Sequence, residues 1–135
     1  MHALPTFLAF VLASAFLLAP SFAQSESVNG CQLDGNQLEL NECAYAKFMK
    51  ADAEMNRLYA EQMSHVSADN KKRLLASQRA WLVYLDAACH YEIGPREESG
   101  SIWPMQNWLC RESLTRQRGQ VFKAYVACRV GGCPQ

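Results

Sequence analysis

The sequence contains no Cys-x-x-Cys pair, and at its one Cys-His adjacency, Cys89-His90, Asp86 stands where a haem-attachment motif needs its first cysteine. These absences argue against a zinc site built on close cysteine pairs and against covalent haem. Neither sign of charge is in excess: Lys plus Arg and Asp plus Glu number 13 each. Neutrality argues against a general binder of nucleic acid or of anionic membrane, both of which call for a basic surplus. Only one long apolar run is present, so no membrane insertion is expected once that run is removed. Repeats and low-complexity tracts are missing, and no convincing period-2 strand pattern occurs, which leaves helices to carry the fold.

The apolar run is Leu8 to Leu18, shorter than the roughly 20 residues a membrane-spanning helix needs. Pro20 interrupts it, and Ser21-Phe22-Ala23 places small residues where a signal peptidase reads them. The layout predicts a signal peptide over residues 1–23, cleaved after Ala23, although Met1-His2-Ala3 carries no Lys or Arg. The remaining chain has the length of one domain: an irregular lead-in over 24–36, then a helical domain over 37–135. Export makes the expected compartment periplasmic or extracellular.

Six cysteines, at 31, 43, 89, 110, 128 and 133, lie beyond the apolar run. An even count in a short exported chain reads as disulfides.

Three helices are expected. Asn36 precedes Glu39 by three residues, a capping pair, and Ala44, Phe48, Ala51, Met55, Tyr59 and Met63 recur on one face of a helix over 37–64. Ser67 or Asp69 caps a second helix over 70–91, with Leu74, Leu75, Gln78, Trp81, Leu82, Leu85 and Cys89 inward. Gly94-Pro95 ends it, and Gly94 to Ser101 reads as a loop. Pro104 suits the first turn of a third helix reaching about Cys128, with Leu109, Leu114, Val121, Phe122 and Tyr125 inward and Gly119 a weak point. Gly131-Gly132 stops it. The expected fold is all-α, an antiparallel up-down-up three-helix bundle stapled by disulfides. In that geometry Cys31, Cys43, Cys89 and Cys110 gather at one end. Cys128 lies about 27 Å along the helix from Cys110 and reaches only Cys133. Three pairings of the other four remain, of which Cys31–Cys43 with Cys89–Cys110 is favoured.

These pieces form a pattern. Leu40-Asn41-Glu42-Cys43 is followed by Ala51-Asp52-Ala53-Glu54-Met55-Asn56-Arg57-Leu58-Tyr59, then by Gln78-Arg79-Ala80-Trp81-Leu82 with Tyr84, Asp86 and Cys89. Gly100-Ser101, Cys110, Thr115 and Arg118 complete it. Over Cys31 to Val121 the chain resembles the lysozyme inhibitor LprI-like family. It departs from the family pattern at Leu85, where Arg is frequent, and at Ser99-Gly100, where a double glycine is usual. The resemblance implies a periplasmic or secreted helical protein and, for the family's namesake, inhibition of lysozyme. It brings no catalytic residues and no cofactor or metal.

Gln78, Arg79 and Asp86 are expected in a buried polar network with Arg118 or Asn56 as partner, since buried polar groups need partners. Asp86 and His90 stand one turn apart, but so common a spacing assigns no catalysis. The expected partner is a protein. If it is lysozyme, which is strongly basic, the candidate contact is the loop and its flanks: Glu92, Arg96, Glu97 and Glu98, with Trp103 as an aromatic anchor. The alternative is an envelope structural or interaction module, or an immunity protein against a secreted toxin.

Overall fold

The computed structural model describes residues 27–28, 30–32 and 34–134. The expected signal peptide and residues 24–26, 29 and 33 of the lead-in lie outside the described residues. Strands β1 (Ser27–Val28) and β2 (Cys31–Gln32) pair antiparallel, Ser27 with Gln32 and Val28 with Cys31. This is a small ladder in a segment expected to be irregular. The rest is helical: α1 (Gln37–His65), α2 (Ala68–Ile93), the short α3 (Arg96–Ser99), a 3₁₀ turn (Gly100–Ile102) and α4 (Trp103–Ala127). Among the described residues no helix is long and apolar enough to cross a membrane.

Helix ends follow from their side chains. Asn36 Oδ1 accepts from the Glu39 amide at 3.1 Å, and Glu39 Oε2 accepts from the Asn36 amide at 3.0 Å, a complete capping box. Ser67 Oγ accepts from the Asn70 amide, so Ser67 rather than Asp69 starts α2. Gly94 ends α2 at φ +77°, a conformation side chains disfavour, and its N–H donates to His90 O. The Gly94–Ser101 segment, expected as a loop, is wound into α3 and the 3₁₀ turn. α4 ends at Ala127, before Gly131-Gly132 is reached.

α1 and α4 run in the same direction. Their contacts advance together, from Asn41 with Ser101 and Tyr45 with Trp108 to Tyr59 with Phe122 and Gln62 with Arg129. α2 returns between them in the chain and runs against α4, Gln78 meeting Arg118 and Asp86 meeting Arg111. The packing is uneven. α4 lies closely along α1, whereas α2 touches α4 more sparsely and α1 hardly at all. Met55, Leu58 and Phe122 form the buried centre, with Tyr59, Leu74, Trp81, Tyr125 and Val126 packed around it.

That unevenness corrects three expected core positions. Leu75, Leu82 and Val121 are 38 %, 47 % and 37 % exposed. α2 turns Leu74, Gln78, Trp81, Leu85 and Cys89 toward its neighbours, with Ser77 and Asp86 reaching α4 from the edges, and leaves the flank that carries Leu75 and Leu82 open. In α4, Thr115, Gly119 and Phe122 turn inward instead of Val121.

All six cysteines are paired: Cys31–Cys43, Cys89–Cys110 and Cys128–Cys133. No free thiolate is left to bind zinc. Each bridge contributes about 2–4 kcal/mol, and Cys89–Cys110 ties the thinly packed end of α2 to α4.

Two substitutions probe the α1–α4 seam. A Cβ on Gly119 would meet Met55 Cβ at 3.8 Å and Met55 Cα at 3.9 Å, ordinary contact distances. Gly119→Ala is therefore expected to raise stability by up to about 1 kcal/mol through helix propensity. Thr115 Oγ1 is buried without a hydrogen-bond partner among the described residues. Thr115→Val, which removes that hydroxyl at nearly constant shape, is expected to stabilise by about 1 kcal/mol. Urea midpoints at unchanged slope measure both; a lower midpoint for either variant would contradict this account of the seam.

Candidate functional site

The polar network predicted from sequence is present in part. Its centre is Arg118, which donates from Nε to Gln78 Oε1 at 3.0 Å and from Nη2 to Ser77 Oγ at 2.9 Å. The guanidinium lies 4.5 Å from the Phe122 ring centroid and 5.9 Å from that of Trp81. Burial lowers the Arg118 pKa, and its partners are neutral oxygens and ring faces rather than a carboxylate. Gln78 is buried, and its Nε2 points at Met55 Sδ, 3.6 Å away, linking α2 to α1. The other expected members stand elsewhere. Arg79 faces solvent, Asn56 donates to Asp52 on the exposed side of α1, and Asp86 pairs with Arg111 at 2.5 Å. Arg111 also donates to the buried Asn107. Asp86 Oδ1 is engaged by Arg111, and among the described residues no hydrogen bond joins Asp86 to His90.

The segment between α2 and α4 is a fixed corner. Trp103 Nε1 donates to Gly94 O at 3.0 Å, Ser99 Oγ approaches Ile93 O, and the Arg96 guanidinium lies 6.0 Å from the Trp103 ring centroid. Trp103 is half-buried, and its N–H is used inside the corner. Glu97 and Glu98 are exposed on α3, and Glu92 is exposed with Oε2 beside the Cys110 sulfur at 3.4 Å. The Asn41 amide donates to Ser101 O, so the start of α1 borders this corner. Residues 34–45 and 89–110 thus share one end. Their acids are Asp34, Glu39, Glu42, Glu92, Glu97 and Glu98, all exposed, against one Arg, Arg96, and one histidine, His90. A neutral chain therefore has a negative pole.

The opposite character appears on the other side of the α1–α4 seam. A groove of about 460 Å³ has Met55, Leu58, Ala51 and Gly119 as its floor, with Lys47, Lys50, Arg116 and Lys123 along its rims. Its two acids are already engaged, Glu54 by Arg57 and Glu112 by Arg116. The Arg57 hydrogen bond holds the Glu54 carboxyl below its ordinary pKa.

Sequence reasoning missed Gln62. It is buried, donates to Pro134 O and accepts from Arg129 Nη1, both at 3.1 Å, fixing the tail looped by Cys128–Cys133 onto α1. Its place on the Met55–Leu58 face, at seven- and four-residue spacing, was the available signal.

The family profile for lysozyme inhibitor LprI matches residues 28–121. The chain belongs to the LprI family. It is also similar to an uncharacterized protein of Rhizobium meliloti strain 1021, at 32% identity over 113 residues, covering 74% of this chain and 80% of that protein. No solved structure matches. The LprI family takes its name from inhibition of lysozyme, which makes a protein the implied partner. The match spans the Cys31–Cys43 and Cys89–Cys110 bridges, the corner and the Gln78–Arg118 pair, and it ends before the Cys128–Cys133 tail.

The Gln78–Arg118 pair has a defined expected cost. Gln78→Leu leaves a half-buried guanidinium short of an acceptor and is expected to destabilise by about 1.5–3 kcal/mol. A double-mutant cycle with Arg118→Met should return a coupling of about 1 kcal/mol or more by chemical denaturation. Additive single effects would mean that the pair does not hold α2 to α4.

Proposed function

We propose that this is an exported, non-catalytic protein that inhibits a lysozyme-type cell-wall hydrolase by binding it. The observation that carries the reading is the match to the lysozyme inhibitor LprI family, and the negative pole gives it a physical basis. Lysozyme is strongly basic, so exposed Glu92, Glu97 and Glu98, with Asp34, Glu39 and Glu42 beside them, would steer it and oppose its charge. Trp103 and the Cys89–Cys110 bridge fix the backbone that carries Glu97 and Glu98, which lowers the ordering cost of binding.

Export is supported by the Leu8–Leu18 run, the small residues before Gln24 and the three disulfides, which persist in oxidising compartments. The up-down-up bundle is the reading we favour for the three long helices, with α2 as its loosely attached member.

The test is muralytic activity of several lysozyme classes titrated with oxidised protein. Dose-dependent inhibition is expected, weakened at least tenfold by Glu97→Lys/Glu98→Lys. Absence of inhibition of every class by folded protein at high micromolar concentration would remove the lysozyme reading and favour an envelope interaction module.

A further inference from the structure

At about 100° per residue, Leu38, Glu42, Tyr45, Met49 and Asp52 fall within an arc of about 80° on α1. The stripe spans about 21 Å. Its apolar members lie open to solvent: Leu38 is 64 %, Tyr45 45 % and Met49 44 % exposed. Glu42 is exposed and Asp52 half-buried, and neither carboxylate is bound by Lys or Arg among the described residues. No basic residue falls in the arc; Lys47 and Lys50 project from the other side of α1, along the groove.

The stripe has a stiff backing. Trp108 stacks on Phe48 with ring centroids 5.1 Å apart and meets Tyr45 edge-on at 5.0 Å. Tyr45 is thus a half-exposed aromatic whose ring is already held, the kind of group that anchors interfaces. Through Asn41 and Ser101 the stripe runs into the corner, where Ile102 is 40 % exposed. The exposed apolar groups of α2 make no comparable face. Leu75 and Leu82 lie on one flank, Tyr84 and Tyr91 on the opposite one, and Val83 points outward between them.

Charge decides what the stripe accepts. A two-fold pairing of stripes would put Glu42 and Asp52 of both copies into one interface with no base in either arc to oppose them. An anionic bilayer would be repelled for the same reason. A cationic protein surface with apolar patches is complementary, and the Lys47, Lys50, Arg116 and Lys123 groove on the other side of α1 repels it, so the encounter is oriented.

We infer that this α1 stripe, continued by Ile102, is the main contact face for a strongly basic protein partner. The inference rests on the hydrolase-inhibitor reading for the identity of that partner. It locates the contact chiefly on α1 rather than on α3, with the corner supplying additional area toward the roughly 800 Å² per partner of a standard interface.

Isothermal titration calorimetry against a c-type lysozyme, and against other lysozyme classes, tests it. Glu42→Arg/Met49→Arg changes two outward side chains and is expected to lower affinity at least tenfold with unchanged circular dichroism. Leu38→Asp, which leaves the Tyr45–Trp108 contact alone and adds negative charge, is expected to weaken binding at least threefold, because apolar contact is lost despite better charge matching. Lys50→Glu, on the groove side of the same helix, is expected to leave affinity within twofold or improve it. Wild-type binding that the stripe variants leave within twofold would overturn this inference alone, as would amide shift changes mapping to the groove. Failure of the wild-type protein to bind any lysozyme class would overturn the inhibitor reading and this inference together.

Discussion

The close approach of α1 and α4 is the constraint on which the rest of the structure depends. Two long helices lying side by side need small residues at the seam, and Ala44, Ala51, Thr115 and Gly119 supply them. At that seam the buried Thr115 hydroxyl has no partner among the described residues, a local cost. It also places Met55, Leu58 and Phe122 in one cluster, the centre of a modest core. Because α1 and α4 run the same way, the chain must cross back between them, and α2 makes that return.

α2 is attached by a different kind of bond. It has few close contacts with α1, and beside Leu74 and Trp81, which pack on the apolar centre, it is held by Gln78 and Ser77 with Arg118, Asp86 with Arg111, and the Cys89–Cys110 bridge at the far end. Directional bonds fix register where area burial is too small to do so. The cation–ring contacts of Arg118 with Phe122 and Trp81 tie this polar seam back to the apolar centre. Gln78, Trp81 and Arg118, which carry much of the family resemblance, thus have a structural explanation, and function must be sought on the surface.

Helix positions were legible because their signals are local. The capping pair Asn36/Glu39, Ser67 and Gly94 each act on the nearest turn, and all three govern the ends seen. Helix length left Cys128 only Cys133 to meet, whereas it gathered the other four cysteines at one end and left three pairings open, of which the favoured one is present. Leu75 and Leu82 were misplaced because periodicity defines a face only as broad as the neighbours that cover it, and α2 has in effect one neighbour; on α4 the buried face is Thr115, Gly119 and Phe122, which leaves Val121 off its edge. The hairpin at Ser27–Gln32 is too short for any alternation to register. The negative pole was only half visible: Glu92, Glu97 and Glu98 could be named, but Asp34, Glu39 and Glu42 join them through the Asn41–Ser101 contact, a relation across 60 residues.

Stiffness and charge are distributed together. Two of the three disulfides, Cys31–Cys43 and Cys89–Cys110, sit at the acidic end, beside the Trp103–Gly94 and Asn41–Ser101 bonds. At the opposite end Cys128–Cys133 and Gln62 secure only a short tail. Repulsion among Asp34, Glu39, Glu42, Glu92, Glu97 and Glu98 works against holding them at one end, and the covalent closures there offset it. A charged surface held in advance in one geometry loses little entropy on meeting an opposite charge. The division of α1 into a base-free apolar and acidic side and a lysine-bearing side gives the same economy in orientation, since one helix presents attraction on one face and repulsion on the other. That combination is what a scaffold for capturing a cationic protein requires, and it arises here in a chain whose net charge is zero.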